Sequence, residues 1–225
     1  MIKIVIQNFQ PLNGWQFQEI SFLYGLSIVS HGLSIVFFIQ TWRMDWFVTN
    51  GQFDMYLIRP LNVFFQFSFQ YFNFIGFTDI IPGIIILLYA INLTGVTISI
   101  INILKILLVI IGATFLRGAI YTIIGSMAFW IKRSNKLIEI NLLIDEQIMR
   151  YPLTIYPRAI QFLLTFILPF GFIGFYPASE ILGVKSGFVF PGSSCLWTLG
   201  IGIVSFLLSI MLFYKGLSKY ESSGS

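Results

Sequence analysis

Three ionisable side chains, His31, Asp79 and Arg117, lie inside long apolar runs and are the residues best placed to do chemistry. A charge at the centre of a bilayer costs roughly 2.5 kcal/mol or more, so each of them needs a partner or a polar cavity. We expect Asp79 and Arg117 to form an ion pair that holds two helices together. The alternative is that each reaches an interface or a cavity alone.

His31 shares one helical face with three serines, which favours an interhelical hydrogen bond. These serines are Ser27, Ser30 and Ser34. His31 is the only histidine and Cys195 the only cysteine, which argues against zinc, haem and triad chemistry and against a disulfide within the chain. The sequence has no P-loop pattern for ATP and no carboxylate pair at acid–base spacing. We therefore predict a chain that is not an enzyme and holds no metal or cofactor of its own.

The composition predicts that most of the surface faces lipid. Of the 225 residues, 57% are hydrophobic and 10% are charged, and the mean hydropathy is +0.87, whereas a soluble domain carries roughly 25% charged residues. The net charge of +4 is better explained by basic loops on one side of a membrane than by nucleic-acid binding.

Five apolar runs are long enough to cross a bilayer, which needs roughly 20 residues per helix. They are Ser21–Gln40, Phe72–Asn92, a stretch within Ile98–Ile131, Ala159–Tyr176 and Leu196–Tyr214. Backbone groups in lipid must pair within their own segment, so these runs predict an all-α, polytopic transmembrane bundle. We expect one domain over residues 1–221, with residues 222–225 as a tail.

The distribution of Lys and Arg predicts the orientation. With five spans, nine basic residues fall on one side, in the loop Trp42–Pro60, in the loop after the third span and in the C-terminal tail, and two fall on the other. The positive-inside rule places the nine in the cytoplasm with the C-terminus. The N-terminus is then outside, which suggests that one more helix precedes this chain in the intact protein.

Two connecting segments are amphipathic. The first carries a polar stripe on an otherwise aromatic helix, formed by Asn62, Gln66, Gln70 and Asn73. It is predicted to be an interfacial helix, with a lining for a substrate path as the alternative. The second, Asn135–Tyr151, is predicted to lie along the cytoplasmic interface before the fourth span. Pro82-Gly83, and Pro169 with Gly171 and Gly174, predict kinks in the second and fourth spans, either as hinges or as static bends.

The loop Trp42–Pro60 combines aromatic rings with charges of both signs. Such a loop is expected to lie on lipid headgroups or to contact a protein, because buried aromatic residues and Arg anchor interfaces. It runs into Gly51-Gln-Phe-Asp-Met-Tyr-Leu-Ile-Arg59-Pro60-Leu-Asn62, which resembles the Gly…Leu-x-Arg-Pro-Leu-Asn loop of the ABC-2 type permease family, in the branch once catalogued as a domain of unknown function. Other segments fit the same branch. They are Gly14-Trp15, Phe22–Leu26, Ala128-Phe129-Trp130, Leu168-Pro169-Phe170 and Phe175–Ala178.

The resemblance implies a multi-pass permease of the bacterial plasma membrane with six helices. Such permeases work as homo- or heterodimers with two ATPase subunits, which hold the ATP and Mg. Trp42–Pro60 would be the loop that couples to the ATPase. Its candidate residues are Arg43, Asp45, Trp46, Gly51, Asp54, Arg59 and Pro60. The implied function is export of an unidentified substrate by alternating access. The alternatives are a membrane scaffold that transports nothing and a membrane-embedded lipid enzyme.

Overall fold

The computed structural model describes residues 11–131, 135–145 and 150–220. This part of the chain is helical and contains no strand. The helices are α1 (Phe17–Trp42), α2 (Met44–Thr49), α3 (Asp54–Leu57), α4 (Val63–Ser68), α5 (Phe77–Thr94), α6 (Ile100–Ser126), α7 (Ala128–Ile131), α8 (Asn135–Leu143), α9 (Arg158–Phe162), α10 (Phe175–Leu182) and α11 (Ser194–Leu217). The predicted all-α class is confirmed.

Four helices, α1, α5, α6 and α11, are long and apolar enough to cross a membrane. They coincide with four of the five predicted runs. A helix of 24 residues measures about 36 Å, which exceeds the hydrocarbon thickness of about 30 Å. Each helix keeps its backbone bonds within itself, as lipid requires.

Glycines let neighbouring helices approach closely. Gly32 of α1 faces Gly76, so a Cβ on Gly32 would stand 2.6 Å from the Gly76 carbonyl oxygen. Gly83 of α5 meets Val29 in the same way. Gly112 of α6 lies against the α11 backbone at Leu199. The hydrophobic effect does not hold helices together in lipid. Small residues at such contacts allow close van der Waals packing, which does so instead.

The bundle has two distinct ends. At the aromatic end (residues 42–73, 128–131 and 213–220), α2, α3 and α4 pack their rings on α7 and α11. Phe53 lies at the centre, with ring centroids 5.3 Å from Phe129 and 5.5 Å from Tyr220. The opposite end of the bundle consists of residues 11–16, 95–99 and 183–193. It is called the hairpin end because both ends of a helical hairpin, residues 158–182, lie there.

The predicted helix through Asn62–Asn73 is wrong, because α4 covers only Val63–Ser68. The two asparagines act as caps: Asn62 accepts from the Phe65 amide at 3.2 Å, and Asn73 accepts from the Ile75 amide at 2.9 Å. Gln70 accepts a hydrogen bond from the Tyr56 hydroxyl, and Gln66 is half-buried. Asn62 thus begins α4 and Asn73 begins a separate 3-10 turn, so the four side chains do not share one helical face.

The prediction that Asn135–Tyr151 lies along the interface is also wrong. Leu137 and Ile140 line a cavity with Ile120 and Ile124 of α6. Past α8, Asp145 contacts Arg117 in the middle of α6. Further along, Arg150 lies over the Tyr24 ring at 5.9 Å and Leu153 joins the core. The described parts of this segment thus progress from the aromatic end to the hairpin end beside α6.

The predicted fourth span, Ala159–Tyr176, does not cross the bundle as one helix. The helical stretches on either side of Leu168, Arg158–Ile167 and Pro169–Leu182, are bent by 76°. Both outer ends lie at the hairpin end, since Arg158 shares a cavity with Asn13 and Gly187. Glu180 meets the start of α11, where it accepts from the Cys195 amide. Residues 158–182 therefore form a re-entrant hairpin.

Pro169, Gly171 and Gly174 explain the bend. Pro169 starts a short 3-10 turn, Pro169–Phe172, directly after a π turn at Leu163–Ile167. Its ring removes one backbone donor and disfavours a helical conformation at Leu168, which is extended at φ −114° and ψ 95°. Gly171 leaves room for the Tyr176 ring, which would lie 2.6 Å from an added Cβ.

The revised path places Lys136 and Arg158 at opposite ends of the bundle, whereas the sequence placed both in the cytoplasm. In a Cys195→Ala background, we expect Lys136→Cys and Arg158→Cys to react with a membrane-impermeant maleimide from opposite sides of sealed vesicles. Labelling of both from the same side would contradict the re-entrant hairpin. Both side chains are exposed in the structure.

The close approach of α1 and α5 also predicts the effect of a single methyl group. Gly32→Ala should lower stability by about 1–3 kcal/mol through overpacking against the Gly76 carbonyl, measured by thermal unfolding in one detergent. Gly200→Ala in α11 is the matched control, because a Cβ there meets nothing within 4 Å. Equal stability of the two variants would rule out the tight seam.

Candidate functional site

A polar cluster lies between α1, α5, α6 and the segment after α8. His31 Nδ1 on α1 is 3.0 Å from Asp79 Oδ2 on α5, so the expected interhelical hydrogen bond of His31 is made to Asp79. His31 Nε2 is 3.5 Å from Asp145 Oδ2. The imidazole thus stands between two carboxylates, at the level where Gly32 meets Gly76.

Arg117 supplies the cation of the cluster. Its guanidinium donates to Asp145 Oδ2 through one terminal nitrogen and to Ser27 Oγ at 2.8 Å through the other. The side chains are 3% exposed for Arg117 and 9% for Asp145. A buried ion pair is stabilising only when further hydrogen bonds satisfy its atoms, and Ser27 provides one.

The predicted Asp79–Arg117 pair is therefore wrong in its partners. Each residue has another partner: Asp79 is hydrogen-bonded to His31, and Arg117 is paired with Asp145. Asp145 takes the place expected of Asp79 because the segment after α8 enters the bundle. Sequence reasoning missed Asp145 because it put that segment at the membrane surface, where a carboxylate needs no partner.

The cluster borders a cavity of about 210 Å³. Its wall consists of Tyr24, Ser27, Ile28, His31, Asp79, Arg117, Asp145 and Arg150. The side chains of His31 and Asp79 are 24% and 28% exposed, which marks them as the accessible part of the wall. No group of three or more His, Cys, Asp or Glu side chains in the described part of the chain is arranged to hold a metal ion. The cavity offers hydrogen-bond donors and acceptors to a ligand at membrane depth.

A second ion pair joins the re-entrant hairpin to α6. Lys105 Nζ is 2.7 Å from Glu180 Oε1, and Ser193 Oγ donates to the same oxygen at 2.8 Å. The Cys195 amide at the start of α11 donates to the other carboxylate oxygen at 3.2 Å. Glu180 thus ties α6, α10 and α11 together at the hairpin end.

The loop Trp42–Pro60 is folded onto the aromatic end rather than extended. Asp45 is buried and accepts from the Trp46 amide at 2.7 Å, while Arg43 is exposed. Gly51 takes the left-handed conformation at φ +66° in the turn between α2 and α3. Asp54 begins α3 beside the C-terminal segment: burial and the Asp54 carboxylate raise the pKa of Tyr220 to about 12, so its hydroxyl stays protonated near neutral pH.

The tip of this loop points away from the bundle. Residues 57–61 include Leu57, Ile58 and Leu61, and the Ile58 side chain is 84% exposed. Arg59 and Pro60 between them are exposed as well. Of the predicted coupling residues, Asp45 is buried in the loop, and the exposed ones are Arg43, Trp46, Arg59 and Pro60.

The burial of the Arg117–Asp145 pair predicts that loss of one partner destabilises the protein more than replacement of both. Asp145→Asn should lower stability by about 3 kcal/mol, because it leaves a buried guanidinium without its counter-ion. Arg117→Met with Asp145→Leu should lose less than either single change, as measured by thermal unfolding. Glu180→Gln is the control, since its pair with Lys105 is more exposed. A double variant less stable than both single variants would contradict this interpretation.

Comparison with known proteins identifies the family. A sequence model of the ABC-2 family transporter proteins matches residues 1–224. No curated protein and no solved structure matches the chain. The match spans the four long helices, the loop Trp42–Pro60 and the re-entrant hairpin, and it indicates a transport subunit rather than an enzyme. The chain therefore belongs to the ABC-2 family of transporter membrane proteins.

Proposed function

We propose that this chain is the membrane-spanning permease of an exporter whose ATPase is a separate subunit that docks on the aromatic end. Family membership supports the transport role. The observation that carries the docking proposal is the exposed tip at residues 57–61. Apolar side chains at the end of a loop, set beside a cation, are typical of a protein interface.

The platform beneath the tip is rigid, which an interface that transmits force requires. Tyr56 and Phe67 are fully buried, and their ring centroids lie 5.2 Å apart. Phe64 packs on Phe213 of α11 at 5.2 Å. A push on the tip therefore reaches α11 through close-packed rings, which do not yield as a flexible loop would.

The charge distribution supports a cytoplasmic aromatic end. Among the described basic side chains, five lie at or near the aromatic end and three at the hairpin end. The five are Arg43, Arg59, Lys136, Lys215 and Lys219, and the three are Lys105, Arg158 and Lys185. The bias follows the positive-inside rule even after Arg158 changes sides.

The proposed assembly contains two permease chains and two ATPase subunits in the bacterial plasma membrane. ATP and Mg bind to the ATPase, and closure of the ATPase dimer displaces the tips. The helices then rock between states in which a path opens to one side or the other, and the substrate moves outward. Residues Leu57–Leu61 and Trp46 are the contact points of this chain.

Substitution at the tip tests the docking. Ile58→Asp and Arg59→Ala should each reduce co-purification of the ATPase by about tenfold, because exposed apolar and Arg side chains dominate interface energies. Membrane insertion and thermal stability should not change, since neither side chain is buried. The measurements are pull-down from membranes and ATP-dependent transport in vesicles.

Val189→Asp and Lys185→Ala are the matched controls at the hairpin end. Val189 is 94% exposed, so it tests the same change of chemistry away from the aromatic end. If the tip variants bind the ATPase as well as the controls do, the docking assignment is wrong. If the unmodified chain recovers no ATPase at all, the scaffold alternative replaces the exporter.

A further inference from the structure

The central cavity has polar groups that the described residues do not satisfy. Asp145 uses only Oδ2 for Arg117 and His31, and its Oδ1 is buried without a partner in the described structure. Arg117 Nε is likewise buried and unpartnered there. Both residues line the cavity. Each unmet group costs about 1–3 kcal/mol, but both atoms are buried and out of reach of a ligand in the cavity. The groups that a ligand can reach are the acceptor Asp79, which is 28% exposed, and the donor Arg150, so a ligand that both donates and accepts fits this wall.

Among the described residues that line the cavity, the charges balance. Asp79 and Asp145 contribute two negative charges, and Arg117 and Arg150 contribute two positive ones. A ligand with a net charge would bring an uncompensated charge to membrane depth, which is expensive. A ligand with one positive and one negative group adds none.

The charges are also separated in space. Asp79 on α5 and His31 on α1 form one part of the wall. Arg150 lies over the ring of Tyr24, which is about two turns of α1 closer to the hairpin end than His31 is. Asp79 is partly exposed to the cavity and has His31 as its hydrogen-bond partner. Arg150 is exposed, so its guanidinium can leave the Tyr24 ring for an anion.

We propose that the cavity binds the zwitterionic polar group of a ligand, with an ammonium at Asp79 and an anionic phosphodiester or carboxylate at Arg150. A cavity of about 210 Å³ suits a group of the size of a phosphoethanolamine diester. The group comes either from a lipid headgroup or from a free solute, and the chemistry of recognition is the same.

This inference rests on the proposed transport function only in treating the bound ligand as cargo. Binding itself needs no ATPase, so it is measured on the purified chain in nanodiscs. Glycerophosphoethanolamine in solution, whose phosphodiester carries a single negative charge beside its ammonium, tests the solute source. Phosphatidylethanolamine against phosphatidylglycerol in the nanodisc, read by native mass spectrometry, tests the lipid source.

Two partial probes separate the two halves of the site. Ethanolamine carries the ammonium alone and dimethyl phosphate carries a singly charged anion alone. We expect each to bind about tenfold or more weakly than glycerophosphoethanolamine, since each forgoes a charge-assisted hydrogen bond. Asp79→Asn should weaken the binding of ethanolamine and leave that of dimethyl phosphate unchanged, and Arg150→Gln should do the reverse.

The controls are Glu180→Gln for Asp79→Asn and Lys185→Gln for Arg150→Gln. Neither Glu180 nor Lys185 lines the cavity. A thermal unfolding curve for each variant confirms that it folds, and Asp145 is left intact because its loss would uncover Arg117.

Saturable binding of glycerophosphoethanolamine, or retention of phosphatidylethanolamine over phosphatidylglycerol, with this crossed pattern of losses supports the proposal and names the source. Absence of both, or equal losses in the cavity variants and their controls, overturns it. Either result is independent of whether the tip variants lose the ATPase, so failure here is distinguishable from failure of the proposed exporter function.

Discussion

The absence of water inside a bilayer governs this structure, and the contact that most depends on it is the pair between Arg117 and Asp145. A guanidinium in the middle of α6 cannot be left without a counter-ion at that depth. The carboxylate that pairs with this guanidinium belongs to the segment after α8, so this segment must enter the bundle beside α6. The same carboxylate is 3.5 Å from the imidazole of His31, which in turn bonds to Asp79. One buried cation thus fixes the positions of four segments.

That constraint explains which features the sequence could predict. Long apolar runs gave α1, α5, α6 and α11 nearly to their ends, because a helix that must satisfy its own backbone in lipid depends little on its neighbours. The paths of the re-entrant hairpin and of the segment after α8 depend on their neighbours. Hydropathy predicted the first as a span and the second as an interfacial helix, and both predictions are wrong. Residues 159–176 are apolar enough to span, but Pro169 and the glycines fold them back. Asn135–Asp145 is too polar for a hydropathy criterion, yet it enters the bundle because Arg117 needs Asp145.

The candidate site shows the same limit at the level of single residues. His31, Asp79 and Arg117 could be singled out because ionisable groups in apolar runs are rare. Their partners could not be assigned, since pairing depends on the relative depth and rotation of helices that only packing sets. Gly32 against Gly76 fixes the depth of α5 on α1, and with it the contact of Asp79 with His31. The candidate residues of the loop were identified through a motif. The motif could not predict which of them are buried, as Asp45 is, because burial depends on how the aromatic end packs.

The polar cluster and the aromatic end are close to each other, and that proximity bears on how a transporter of this design could couple them. His31 and Trp42 lie on the same helix, eleven residues and so about 16 Å apart. Trp42 stacks on Tyr121 of α6 at 4.9 Å, and Ser34 donates to the Tyr121 hydroxyl at 3.3 Å. Tyr121 is one turn from Arg117 on α6. A displacement of the aromatic end that tilts α1 against α6 must therefore change the separation of His31 from Arg117, because rigid helices carry both. Energetic coupling requires an element with two arrangements, and the imidazole, which lies between two carboxylates on separate segments, is the part of the cluster best placed to be that element.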